Sequence, residues 1–143
     1  MKRFWVSLLF LCCLVPVHSL MAGEREDSTS SEHPAKIAEN WLALVDDHKY
    51  RQSWKEASLS LQNAVPEDRW RQVMATVREA LGELDSRKLS KIKLRDKLPG
   101  LPNGDYAVAQ FATSFEGKMD AIETVFLAKE GDNLWKVCGY YVK

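Results

Sequence analysis

The chain has 143 residues with 20 basic and 20 acidic side chains, so its formal charge is zero, and 45% of it is hydrophobic. That length is one domain's worth, enough for one core without disulfide staples, and the charge balance gives no global pull toward nucleic acid, so no nucleic-acid partner is expected. With three cysteines, two of them adjacent, a multiple-disulfide scaffold is excluded.

The N-terminus reads as a secretory leader. Lys2 and Arg3 precede an apolar run, Phe4 to Val17, that is too short to span a bilayer comfortably. Val17-His18-Ser19 then places an aliphatic and a small residue where a signal peptidase reads. Residues 1–19 are therefore expected to be a signal peptide, with a cut after Ala22 as a neighbouring alternative, and the product to be exported, periplasmic or secreted. Cleavage at Ser19 leaves 124 residues with a net charge of −2, no transmembrane segment, and Cys138 as the single thiol. Residues 20–33 are polar, small and acidic, which predicts a disordered linker.

From Pro34 onward the apolar spacing becomes helical. Ile37, Trp41, Leu44, Val45 and His48 share one predicted face. After a tight break near Asp47–Lys49, the spacing of Tyr50, Trp54, Ala57 and Leu61 predicts a second, shorter helix whose end Ser58 and Ser60 weaken. Pro66-Glu67-Asp68 opens a third, with acids in the first turn where the helix dipole favours them. Its expected stripe is Trp70, Val73, Met74, Val77, Leu81 and Leu84, and Gly82 is the expected stop.

After Ser86 the period drops to two. Strands are expected over Leu89–Leu98, Tyr106–Phe115, Ala121–Lys129 and Leu134–Lys143. Their joining segments are rich in turn residues, with Asn103-Gly104 as the strongest hairpin signal, needing positive φ. Short connections demand antiparallel pairing. The fold class is thus α+β: three N-terminal helices packed on a curved four-stranded antiparallel sheet, forming a single domain over 34–143. Alternation along the strands puts apolar residues on both sheet faces. Helices cover one, so the other should curl into a pocket or meet a partner, such as a second copy.

Taken together, Ala35 through Trp41, Tyr50-x-x-Ser53-Trp54, Trp70, Arg78-x-x-Leu81-Gly82, Arg87, Pro102-Asn103-Gly104-Asp105-Tyr106, Gln110 to Phe115, Glu123-Thr124-Val125 and Trp135-Lys136-Val137-x-Gly139-Tyr140-Tyr141 resemble a bacterial family catalogued as domain of unknown function 4019. The resemblance spans nearly the whole mature domain. It implies export from a bacterial cell and a roll similar to the cystatin-like and nuclear-transport-factor-2-like folds. It implies no activity.

Four tryptophans, Trp41, Trp54, Trp70 and Trp135, read mainly as core, with one or two free to line a pocket. Gln110 and Glu123 are the odd polar residues in otherwise apolar strands. Facing inward together, they would be the polar groups of a cavity, with Tyr140 adding a hydroxyl. The competing reading has Glu123 in solvent, paired with Lys136 across the ladder. Gln110, Glu123, Tyr140 and Trp54 are the ligand-binding candidates, for a small apolar ligand or an exported protein partner in the sheet concavity. An alternative is a small acid–base enzyme with Glu123 as base and Tyr140 as donor. A further alternative is a module that dimerises through its sheet. No phosphate loop, serine elbow or cofactor motif is present, and no cofactor is expected. Asp46-Asp47-His48 invites a metal reading, but consecutive helical residues point apart and no metal is expected. Cys138 is expected to be a buried, inert thiol. Gly139 within a strand suggests a bulge. The basic stretch from Arg87 to Lys97 reads as a solvated strand face, with a polyanion or membrane-surface contact as the sharper alternative.

Overall fold

The computed structural model describes residues 33–143. The expected leader, and the expected linker apart from His33, lie outside the described residues. Four helices come first: α1 (Pro34–Asp46), α2 (Tyr50–Lys55), α3 (Leu59–Ala64) and α4 (Glu67–Leu81). Four strands follow: β1 (Leu84–Arg95), β2 (Tyr106–Phe115), β3 (Lys118–Lys129) and β4 (Trp135–Val142). Each strand pairs antiparallel with the next, so the open sheet has the order β1-β2-β3-β4. The expected α+β architecture is present, with one helix more than expected.

The extra helix comes from Ser58. Its hydroxyl accepts a hydrogen bond from the Leu61 amide at 3.2 Å, which caps α3, while its own amide donates to the Val137 carbonyl of β4 at 2.8 Å. A residue expected to weaken one helix instead ends it and starts another. The break before α2 falls where expected, at His48, whose φ of 58° stops α1. His33, assigned to the linker, belongs to the domain as the residue capping α1, its ring accepting from the Ala35 amide.

Two helical faces are rotated from expectation. In α1 the buried side is Ala35, Ala38, Trp41, Leu42 and Val45, and His48 is exposed. In α4 it is Trp70, Met74, Arg78 and Leu81, while Val73 is exposed. The spacing i, i+4, i+8, i+11 is a good helical stripe once Arg78 is admitted to it. Gly82 ends α4 with φ of 75°, a conformation that favours glycine. Gly117, in the β2–β3 turn, donates to the Leu81 carbonyl at 2.8 Å, and a side chain there would strike the Ala80 carbonyl. That close approach locks the turn to the end of α4.

Strand β1 starts and ends earlier than expected, because its pairing with β2 runs from Leu84 opposite Phe115 to Arg95 opposite Tyr106. Its link to β2 is not a tight Asn103-Gly104 hairpin. The chain makes a longer excursion closed by the Gly104 amide on the Asp96 carbonyl, and the positive φ falls on Gly100. Tyr106, on the sheet face away from the helices, is buried and donates its hydroxyl to the Pro102 carbonyl. Gly139 marks a bulge, with Cys138 as the extra residue between the Leu127–Val137 and Phe126–Gly139 pairs.

The main core lies between the helices and the inner sheet face, where Trp41, Leu42, Val45, Trp70 and Met74 meet Ala107, Ala109, Phe111, Val125, Leu127 and Val137. Three indoles are tied down by hydrogen bonds. Trp41 donates to the Ser53 carbonyl, Trp70 to the Ser53 hydroxyl and Trp54 to the Val65 carbonyl. The centre of the helix-facing concavity is therefore filled by side chains.

Candidate functional site

At one end of that core the apolar packing gives way to charge. Asp46 is the last residue of α1, and Arg78 lies three residues before the end of α4. On the sheet, Arg87 of β1 pairs with Thr113 of β2, Phe111 of β2 with Glu123 of β3, and Val125 of β3 with Tyr140 of β4. Paired residues share a face, so all four strands and two helices contribute to one cluster. Glu123 has no solvent exposure at all and Arg78 has 3%.

The geometry of Glu123 is saturated. Oε1 accepts from the Tyr140 hydroxyl at 2.6 Å and from Arg87 Nη2 at 3.1 Å. Oε2 accepts from Arg87 Nε at 2.6 Å and from the Thr113 hydroxyl at 2.7 Å. A carboxylate has about four lone-pair positions, and all are used. Arg87 also holds Asp46 bidentately, at 2.6 and 2.9 Å. Arg78 reaches Asp46 at 3.0 Å and comes to 3.8 Å from Glu123, with its guanidinium 4.6 Å above the Phe115 ring. Two cations thus face two anions. Arg78 Nε and Nη1 have no hydrogen-bond partner.

Burial lowers the pKa of Arg87, but its hydrogen bonds to Asp46 and Glu123 outweigh that, and the guanidinium is held more firmly charged than usual. Burial pushes the Tyr140 phenol well up, and the charge of Glu123 pushes it further, so its proton stays on the bond to Glu123. This arrangement fixes charges and moves none.

A groove of about 590 Å³ opens at a different place, beside the bulge of β4. One wall is α3 with Leu61 and Ala64, followed by Val65. The opposite wall is Leu98, Pro99 and Leu101 of the β1–β2 excursion, with Phe126, Trp70 and the ring of Tyr140 between them. Cys138 and Ser60 supply its small polar groups. Burial pushes the Cys138 thiol up to about 11, so it is uncharged at neutral pH.

The residues singled out from sequence do not all converge. Glu123 faces inward, against the reading that paired it with Lys136, whose ladder partner is Ala128. Gln110 lies on the opposite face, opposite Thr124, and its amide is 3.4 Å from the Thr124 hydroxyl. Gln110 and Glu123 therefore share no cavity. Tyr140 touches both the ionic cluster and the groove. Trp54 lies among the helices, bonded to Val65. Asp46 belongs to the ionic cluster, whereas His48 contacts the Tyr50 hydroxyl at the surface. Among the described residues no group of three or more His, Cys, Asp or Glu is arranged to hold a metal. No helix among them is long and apolar enough to cross a membrane.

Sequence reasoning missed Arg78, Arg87 and Asp46 as partners of Glu123. One signal was present: Arg78 occupies a stripe position between Met74 and Leu81, and Glu123 shares strand parity with Ala121, Val125 and Leu127.

Fold and site together define a small α+β domain with its helices on one face of an antiparallel meander and a buried arginine–carboxylate cluster tying the two layers. Residues 37–140 match the family described as protein of unknown function (DUF4019), and the chain belongs to that family. A search of curated proteins finds no match.

Proposed function

We propose that this is an exported, non-enzymatic binding domain that takes a small apolar molecule into the groove beside β4. The observation that carries the reading is the lining. Aliphatic and aromatic side chains from α3, the β1–β2 excursion and the sheet surround about 590 Å³, with only a few polar groups among them. That is the usual character of a small-molecule pocket. The uncharged Cys138 keeps the floor apolar at neutral pH. Export is supported by the leader-like residues 1–19.

The acid–base alternative has one point in its favour, the 2.6 Å contact between Tyr140 and Glu123. A general base needs a free lone pair within reach of a substrate proton. Glu123 has none free and no exposed surface, so the cluster fits a structural role better.

The test is titration with N-phenyl-1-naphthylamine, an uncharged apolar dye whose emission rises on burial. Saturable binding at one site is expected, abolished by Ala64→Trp, which fills the groove from an exposed helical position. Absence of saturable binding, or equal binding by a folded Ala64→Trp variant, refutes the reading.

A further inference from the structure

The sheet face away from the helices has a charge pattern that the groove does not use. Lys88, Lys91 and Lys93 of β1 pair with Ala112, Gln110 and Val108 of β2, and all six side chains belong to this outer face. The three lysines are exposed and take part in no ion pair among the described residues. From Lys88 to Lys93 the row runs about 17 Å at the usual rise per residue. The outer positions of β2 carry no carboxylate to answer them. On β3, Asp120 lies near the end of the strand and is already 3.4 Å from Lys118.

Crowding along the row is visible at Lys93. Lys91, through hydrogen bonding and then through its charge, lowers the Lys93 pKa, and Arg95 adds to the effect. Like charges side by side repel, and no carboxylate among the described residues pairs with any of the three. Across the same face, Ile122 is 43% and Tyr141 55% exposed, on β3 and β4. The face thus presents Lys88, Lys91, Lys93 and Arg95 along β1 and, on the β3–β4 side, exposed Ile122 and the interfacial-type Tyr141 beside Lys136 and Lys143.

We infer that this outer sheet face docks on a bilayer surface rich in anionic lipid headgroups. A bilayer offers negative charge and an apolar boundary side by side over a broad plane, which matches the cations and the exposed apolar side chains at once. A second copy of the chain would bring lysines but no central carboxylates to meet them. Nucleic acid would use the lysines and leave the exposed apolar side chains unmatched.

All described elements lie within residues 33–143, and the chain from residue 20 contains every one of them without the apolar run Phe4 to Val17. The experiment is co-sedimentation of that protein with vesicles of phosphatidylglycerol and phosphatidylcholine in equal parts, against vesicles of phosphatidylcholine alone. Binding to the anionic vesicles only is expected, with release at high salt. Binding by Lys88→Gln/Lys91→Gln/Lys93→Gln should fall about 100-fold, roughly fivefold per lysine. Its melting temperature should match or exceed the parent's, since the crowding is relieved. Salt release of the unaltered protein tests the charge independently of any variant. The inference is overturned by equal binding to both vesicle types, by triple-variant binding within twofold of the parent, or by retention on heparin or duplex DNA with no sedimentation.

Discussion

The two ends of the helix-facing core solve the same problem by opposite means. At one end, Trp41 and Trp70, tilted at 55° with centroids 6.0 Å apart, pack with Phe111, Val125 and Leu127, and the few polar atoms are indole nitrogens with short bonds to Ser53. At the other, Phe115 and Ala121 share the space with two arginines and two carboxylates. The apolar end is tolerant, because packing is non-directional and can be redistributed. The ionic end is not, because each charge there is acceptable only while its partners stand in place. The difference also explains how the layers are registered. Asp46 and Arg78 come from helices and Arg87 and Glu123 from strands, so the cluster specifies where the helical layer sits on the sheet.

The largest expected effect sharpens that contrast. Glu123→Gln removes one anion from between two buried cations and replaces an acceptor by an amide that cannot match Arg87. Breaking a buried pair in this way costs about 3–5 kcal/mol, as much as deleting a whole buried aromatic such as Trp70 by alanine. Urea denaturation of the two variants beside the parent would check it. A loss under about 1 kcal/mol for Glu123→Gln would mean that the cluster is incidental to the layer contact. An exposed Glu123 would have predicted just such a small change.

The sequence carries the two ends unequally. Strand β2 is legible to the residue, since Tyr106–Phe115 alternates cleanly between turn signals, and Pro66-Glu67-Asp68 correctly announces α4. The ionic end is hidden because periodicity analysis counts apolar residues. Arg78 sits in the right stripe but is not apolar, and Val73 takes its place in the apolar pattern. Arg87 is camouflaged by the lysines that follow it, although it points to the opposite face from Lys88. Asp46, beside Asp47 and His48, suggests metal ligation until the helix is seen to turn it alone toward the sheet. The groove is illegible for another reason. Its walls come from α3, residues 98–101 and β4, which no local pattern relates.

Tyr140 joins the two ends, with its ring 5.6 Å from Trp41 and its hydroxyl on Glu123. Tyr140→Phe keeps the ring and removes one hydrogen bond to a charged acceptor, for an expected cost of about 1.5–3 kcal/mol. It also alters the alkaline limb. The phenol is raised in the fold by burial first and by Glu123 second, from an ordinary value of 10.0. A raised acid contributes stability that is whole below its unfolded pKa and is lost as pH climbs beyond it. Cys138, pushed from 9.0 up to about 11, acts in the same direction slightly earlier. The parent should therefore lose stability from about pH 9 upward. Urea midpoints at pH 8 and pH 10.5 should separate less for Tyr140→Phe than for the parent. An equal separation would show that the hydroxyl is not held as described.

The smallest effect belongs to Arg78, and it probes whether every charge at the ionic end is equally needed. Arg87 spends its guanidinium on four hydrogen bonds to two carboxylates, whereas Arg78 makes a single close ion pair and leaves Nε and Nη1 without partners. Much of what Arg78 contributes is its stem and its flat head over Phe115. Methionine replaces the stem and offers sulfur to the ring, while the unpartnered nitrogens and their desolvation cost disappear. The opposing term is the charge left on Asp46 and Glu123, which Arg87 alone must then balance. With Arg87 already touching both carboxylates, the expected net loss for Arg78→Met is about 1 kcal/mol, well below that of Glu123→Gln. A double-mutant cycle of Arg78→Met with Glu123→Gln measures their coupling directly. Coupling as large as the loss in Glu123→Gln itself would make Arg78 the principal partner of Glu123, and would reverse the ranking of the two arginines.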